Sequence, residues 1–196
     1  MDEQLQACWQ ENLTDLTNFF NSERFFGKKR HYTPADIAPL RNSFKVNYPS
    51  TVMSDKLNNM LRTCFNNNSF ELTYGALDPV QVINLSKYLK CVYVSGWQCS
   101  STASVTNEPG PDFADYPVNT VPSKVDQLFK AQLFHDRKQN EMLSRLSPKQ
   151  LQETKIFDYM APMLADADTG FGGTTAIMKL TKLFIESGAA GIHIED

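Results

Sequence analysis

The sequence predicts an α/β fold: a helical N-terminal region over residues 1–70, then, over 71–196, three strand–helix units that form the beginning of an α/β barrel. Three observations carry this. Apolar runs at 91–97, 163–168 and 191–195 have strand length, and helical periodicity fills the sequence between them, the alternation that gives parallel strands and right-handed crossovers. The run Met163–Gly173 ends in two carboxylates, Asp166 and Asp168, and a turn with three glycines, and the next apolar run ends in His193 and Glu195. Residues two apart share a strand face, so acids pointing inward from the C-terminal ends of neighbouring strands describe a barrel mouth. Finally, three parallel strands leave both sheet edges unpaired, and the sequence stops at Asp196 directly after a strand, which reads as a truncated chain.

Composition narrows the partners. At 196 residues the chain is long enough to bury a core. A net charge of −3 and no basic stripe argue against nucleic acid or an anionic membrane surface, and no apolar run is long enough to span a bilayer. The acidic start Met1-Asp2-Glu3 argues against a secretory signal and a mitochondrial presequence. The cysteines Cys8, Cys64, Cys91 and Cys99 show no paired spacing, which points to a reducing compartment without structural disulfides or zinc.

Residues 2–22 place Leu5, Trp9, Leu13, Leu16, Phe19 and Phe20 on a helical stripe. The basic run Lys28-Lys29-Arg30-His31 reads as a solvated loop rather than a phosphate site. Thr33-Pro34 opens a short helix with a capping hydroxyl and a proline at the first helical position, and Pro39 ends it. A helix from Ser50 puts Val52, Met53, Leu57, Met60, Leu61 and Cys64 on one side, and Asn66-Asn67-Asn68 closes it in a polar linker that sets the boundary at residue 70. Asp78-Pro79 repeats the cap-plus-proline signal for a helix through Val82, Ile83, Leu85 and Leu89. Cys91–Trp97 is the first strand, with Cys91, Tyr93 and Ser95 on one face and Val92 and Val94 on the other. From Trp97 to Val121 the chain is rich in Ser, Thr, Asn, Gly and Pro; because it carries Trp97, Phe113 and Tyr116, it reads as an ordered active-site loop. Thr120 caps a long helix that turns Val125, Leu128, Phe129 and Leu133 inward, and its polar tail, Asp136–Gln152, wraps the surface. Strand 163–168, a helix Thr175–Ser187 stopped by Gly188, and strand Gly191–Glu195 follow. That helix presents Ile177, Leu180, Leu183 and Phe184 to the core.

Asp166 and Asp168 offer hard oxygen ligands, the kind of site Mg2+ takes with one or two carboxylates plus waters and substrate oxygens; the same spacing also suits two acids capping a turn. The glycines of 170–173 let backbone approach a ligand at a helix N-terminus but match no dinucleotide or P-loop spacing. His193 with Glu195 divides between a functional pair and a satisfied core histidine. Ser95-Gly96-Trp97 combines a hydroxyl, a bare backbone and an aromatic wall, or is simply a tight strand exit. Cys99 has no histidine placed to activate it and reads as packing. His135-Asp136-Arg137 falls on a helix, on a solvated or packing face.

Longer segments are more specific. Ser95–Ala103 (SGWQCSSTA), Asn107–Asp112 (NEPGPD) and Ala131–Lys138 (AQLFHDRK) resemble the isocitrate lyases of eukaryotic type, as do Gly75–Gln81 (GALDPVQ), Ala165–Gly173 and Gly188–Asp196. The similarity covers nearly the whole chain and loosens before about Tyr48. It implies a (β/α)8 TIM barrel with an N-terminal helical region, a homotetramer built by exchanging C-terminal helices, and Mg2+-dependent retro-aldol cleavage of isocitrate to glyoxylate and succinate in the glyoxylate cycle. By the same resemblance Ser95, Gly96 and Trp97 match the substrate-binding tripeptide, and Asp166 matches the aspartate that holds Mg2+. Asp112, Asp168, His193 and Glu195 match groups that surround metal and substrate, mostly through water. The family's catalytic cysteine, in a Lys-Lys-Cys-Gly-His loop, would follow Asp196, so no catalytic residue is assigned within the chain, which corresponds to about the first two-fifths of such an enzyme and is expected to be inactive alone. Phe171 stands where many eukaryotic relatives carry histidine. Gln98 and Pro109-Gly110 look more like isocitrate enzymes than like 2-methylisocitrate lyase, which gives pyruvate and succinate; a catalytically dead truncated paralogue is the remaining alternative. The expected location is cytoplasm or peroxisome (glyoxysome) rather than mitochondrion.

Overall fold

Three short parallel strands organise the larger part of the molecule, seen here in a computed structural model that describes residues 3–105 and 115–195. They are β1 (Val92–Val94), β2 (Met163–Asp166) and β3 (Gly191–His193), in the order β1-β2-β3. Register pairs Val92 with Met163, Val94 with Ala165, Ala165 with Ile192, and Asp166 with His193. Paired residues share a face, so Val92, Val94, Met163 and Ala165 form one apolar layer, and all four are buried. Tyr93, Leu164, Asp166 and His193 occupy the opposite face.

The chain divides by internal packing into Met1–Asn47 and Tyr48–Asp196. In the first unit, α1 (Glu3–Phe20) packs with α2 (Pro34–Ile37) and with a 3₁₀ turn at Ala38–Leu40. Thr33 caps α2 in a reciprocal box with Asp36, as its sequence predicts. The α-helix stops at Ile37, ahead of Pro39 as expected, and a 3₁₀ turn follows it. Arg30 does more than sit in a solvated loop: its guanidinium lies 4.2 Å from the Phe20 ring and 4.4 Å from the Phe25 ring.

In the second unit, α3 (Pro49–Asn66) packs against α8 (Thr174–Ser187) and β3. Its inward side is Met53, Leu57, Met60 and Cys64; Val52 and Leu61 are exposed, because a stripe six residues wide is broader than the contact it makes. Asp78 caps α4 (Pro79–Leu85) through the Gln81 N–H at 2.9 Å, and α4 stops short of Leu89. The central helix α6 (Thr120–Leu143) packs on α4, α8, β1 and β2, burying Val121, Val125, Leu128 and Phe129. Its cap position is Asn119 rather than Thr120, and the residue it turns inward is Gln132, not Leu133. Gln132 is fully buried, and its amide nitrogen donates to the Ala161 carbonyl at 2.8 Å. The polar tail of the long helix breaks at Ser144, and Ser147 opens a further short helix, α7 (Pro148–Glu153). Gly188, at φ +90, ends α8 in the left-handed conformation the sequence anticipates.

The sheet has one edge fewer than expected. Tyr74–Ala76 runs parallel to β1, with Tyr93 N–H bonded to the Tyr74 carbonyl at 3.1 Å and Ala76 N–H to the Tyr93 carbonyl at 3.0 Å. Only the outer edge of β3 lacks a strand partner among the described residues.

Candidate active site

At the carboxyl ends of the strands the chain makes three turns, and each departs from its sequence reading in an informative way. β1 ends at Val94, and Ser95-Gly96-Trp97 opens a helix, α5 (Gly96–Ala103), inside the stretch expected to be loop. The Ser95 hydroxyl caps it, accepting from the Gln98 N–H at 3.3 Å. Apolar periodicity in that helix is weak, since it buries only Gly96, Cys99 and Ser100, which is why composition spoke for a loop. Cys99 is packed in the core, as read. Trp97 is 64% exposed beside the helix entrance.

β2 ends at Asp166, so Asp168 does not continue the same strand face; its backbone turns left-handed at φ +52. The two carboxylates are nonetheless joined. Asp166, only 7% exposed, accepts the Gly96 N–H at 3.1 Å on Oδ2 and the Asp168 N–H at 2.9 Å on Oδ1. Its charge therefore faces the N-terminus of α5, where helix dipole and free amides favour an anion. Asp168 in turn accepts a hydrogen bond from the Tyr116 hydroxyl, and its carbonyl accepts the Glu195 N–H at 2.9 Å.

β3 ends at His193, and Glu195 lies beyond the strand; both side chains are exposed. His193 is no satisfied core histidine: its Nδ1 lies 3.2 Å from the Tyr93 hydroxyl, reaching across β2. Burial pushes the Tyr93 phenol up to about 12, helped by the charge and hydrogen bonding of Asp166 and by the charges of Glu195 and Asp168. Tyr93 thus keeps its proton at neutral pH and stands as a donor at the centre of the strand ends.

The structure therefore brings Ser95, Gly96, Asp166, Asp168, His193 and Glu195 to one end of the sheet, with Trp97 beside them. Asp112 lies outside the described residues. Sequence reasoning passed over Tyr93 as a site residue although it placed the side chain on the same face as Ser95; that shared face was the available signal. Tyr116 was read only as an aromatic of the loop, and nothing local announces its contact with Asp168, 52 residues away.

The donor chemistry can be tested against a metal. Each Asp166 oxygen accepts one backbone N–H and the Tyr93 phenol bonds to the same carboxylate, which still leaves acceptor capacity for a cation. Among the described residues no three His, Cys, Asp or Glu side chains are grouped to cage an ion. This fits a hard ion held by one or two carboxylates and otherwise by water and substrate oxygens, as Mg2+ is, and does not fit a closed structural site of zinc type.

The family model described as the isocitrate lyase family matches residues 12–196. An isocitrate lyase from Kluyveromyces lactis is 55% identical over 188 residues, covering 95% of this chain and 34% of that protein. One from Saccharomyces cerevisiae is 52% identical over 195 residues, 98% of this chain and 35% of that protein. A mitochondrial 2-methylisocitrate lyase from Hypocrea atroviridis is 44% identical over 190 residues, 97% of this chain and 34% of that protein. The chain spans about a third of the length of the curated relatives it matches.

Proposed function

Because this chain belongs to the isocitrate lyase family, we propose that it supplies the metal-binding and part of the substrate-binding half-site of an enzyme that cleaves isocitrate to glyoxylate and succinate, within a TIM-type barrel that the remainder of the protein completes. The observation that carries this reading is Asp166: a buried carboxylate fixed by two backbone amides at the end of the central strand, on the same sheet face as Tyr93 and His193.

In the cleavage the substrate hydroxyl loses its proton and becomes the aldehyde of glyoxylate. The electron pair of the broken carbon–carbon bond passes to the succinate carbon, which then takes up a proton. Mg2+, held by Asp166 directly and by Asp168 and Glu195 through water, would supply positive charge to the hydroxyl and carboxylate oxygens as negative charge develops there. The chain's own residues do the positioning. Gly96 donates its backbone N–H to Asp166, and Ser95 and Trp97 flank the same helix entrance, whose dipole favours a substrate carboxylate. Tyr93, protonated, holds its hydroxyl 3.2 Å from His193 Nδ1 and so orients that ring at the mouth. By the family resemblance the base or acid that moves the remaining proton, a cysteine, comes from sequence beyond this chain, so the 196 residues alone are proposed to be inactive.

The reading is tested with the protein that contains this chain, incubated with Mg2+ and isocitrate while glyoxylate is followed as its phenylhydrazone. Isocitrate should be the preferred substrate, as the higher identity to isocitrate lyases than to the 2-methylisocitrate enzyme suggests. Faster turnover of 2-methylisocitrate, with pyruvate as product, would replace the substrate assignment. Assembly as a homotetramer and a cytoplasmic or peroxisomal location belong to the same proposal.

A further inference from the structure

We propose that Tyr116 is a positioning residue for the metal site, acting through Asp168. This inference rests on the reading of Asp166 and Asp168 as the metal-binding corner. It adds a residue from a distant loop that controls how that corner is held.

The geometry forms a closed circuit. Gly96 N–H grips Asp166, Asp168 N–H grips the other oxygen of Asp166, and the Tyr116 hydroxyl donates to Asp168 Oδ2. Adjacent to Tyr116, Asp115 accepts from the Ser100 hydroxyl of α5 at 3.3 Å and from the hydroxyl of Ser104, the C-cap of that helix, at 2.7 Å. The carbonyl of Asp115 also accepts the Val105 N–H at 3.0 Å. Because α5 begins at Gly96, the path returns to its origin: helix entrance, Asp166, Asp168, Tyr116, Asp115 and back to the helix. The circuit joins the ends of β1 and β2 independently of the ladder between them.

Asp168 needs such support. A left-handed backbone is uncommon for a residue with a Cβ and persists where the surroundings over-determine it, which is typical of functional sites. Here three contacts fix it: its N–H on Asp166, its carbonyl on Glu195 N–H, and its carboxylate on Tyr116. The first two set only the backbone. Among the described residues it is Tyr116 that selects where the carboxylate points, and Tyr116 is itself held, 3% exposed, with its ring edge against Phe171 at 5.6 Å between centroids. A carboxylate that reaches a metal through water works only if its oxygens are aimed, and removing such an outer partner typically weakens a metal site about 10–100-fold.

The experiment uses the protein that contains this chain and Mn2+ as a paramagnetic stand-in for Mg2+, with free Mn2+ counted by electron paramagnetic resonance in the absence of substrate. Tyr116→Phe keeps the ring and its packing while deleting the hydroxyl. The expected result is a Kd for Mn2+ raised about 10–100-fold with a cooperative thermal transition retained. Adding Tyr116→Phe to Asp168→Ala should then weaken binding no further, since the tyrosine acts through that carboxylate. Wild-type affinity in Tyr116→Phe overturns the inference while leaving the metal site intact, as does full additivity with Asp168→Ala. Absence of Mn2+ binding in the wild-type protein overturns the metal reading and this inference with it. Should Tyr116→Phe fail to fold, Ser104→Ala, which loosens Asp115 and so Tyr116, should raise the Kd in the same direction, and an unchanged Kd there counts against the circuit.

Discussion

At the scale of single residues the two aspartates divide labour by environment. Asp166 is buried and points both oxygens at backbone amides, whereas Asp168 is half-buried and takes its direction from a phenol. Deleting Asp166 as alanine would orphan two N–H groups as well as a ligand; Asp166→Asn keeps one acceptor for them, sets its amide NH2 against the other N–H, and removes the charge. In the full protein it should cost most of the activity and not be rescued by raised Mg2+, while Asp168→Ala should shift the Mg2+ dependence by about 10–100-fold and be largely rescued. Activity against Mg2+ concentration for both variants checks this; the reverse ranking would exchange the two roles. Tyr93 makes a second prediction. Its pKa is raised to about 12 in the folded state against an ordinary value of 10.0. Below pH 10 the phenol is neutral folded and unfolded alike, so it adds no pH dependence. Between 10 and 12 the unfolded chain loses the proton first, so stability falls as pH rises through that window. Tyr93→Phe should flatten that alkaline loss, measured as urea midpoints from pH 9 to 12; a slope unchanged from wild type would remove Tyr93 as its source. The sequence made the acids visible because carboxylates at strand ends stand out against apolar neighbours. Their partners were not visible, because Gly96 contributes only an amide and Tyr116 looks like any loop aromatic.

Among the elements, local chemistry predicted starts better than extents. Proline after a capping side chain located α2 and α4 to the residue, since a fixed φ and a side-chain acceptor act within one turn. Asp78→Ala should accordingly destabilise the fold by about 0.5–2 kcal/mol, read as a lower urea midpoint with an unchanged m-value. The strands came out shorter than their apolar runs because the ladder stops where a side chain or a turn takes over the backbone, at Ser95, at Asp166 and at His193. α5 stayed hidden since its buried positions are Gly, Cys and Ser, residues with little hydrophobic signal. The helix stop at Gly188 was legible, and its reason is physical: φ is +90, and an added methyl would sit 3.0 Å from the Phe129 ring. Gly188→Ala should cost at least about 1–2 kcal/mol from backbone handedness alone, with the loss localised by hydrogen exchange to α8 and the facing part of α6. Equal stability to wild type would mean that the turn can relax into another cap.

For the whole molecule the decisive question is what the sheet edges do. Sequence patterning suggested two open edges, but the bridge at Gly75 places Tyr74–Ala76 along the outer side of β1, so one edge is already covered. That segment escaped notice because its two backbone hydrogen bonds to Tyr93 need no particular side chains. The outer edge of β3 is different: no strand pairs with it among the described residues, and Ile194 beside it is 42% exposed. An unpaired row of N–H and C=O groups next to exposed apolar side chains is a template for another strand. In the barrel proposed above a further strand would occupy it. A polypeptide of these 196 residues alone should therefore associate with itself through β3, giving a concentration-dependent mass in size-exclusion chromatography with light scattering. Ile194→Lys, which puts a charge on that edge, should shift the distribution toward monomer, whereas Val80→Lys, at a still more exposed apolar position on α4 far from the edge in sequence, should not. A single monomeric species at every concentration would mean that some other part of the chain already shields β3.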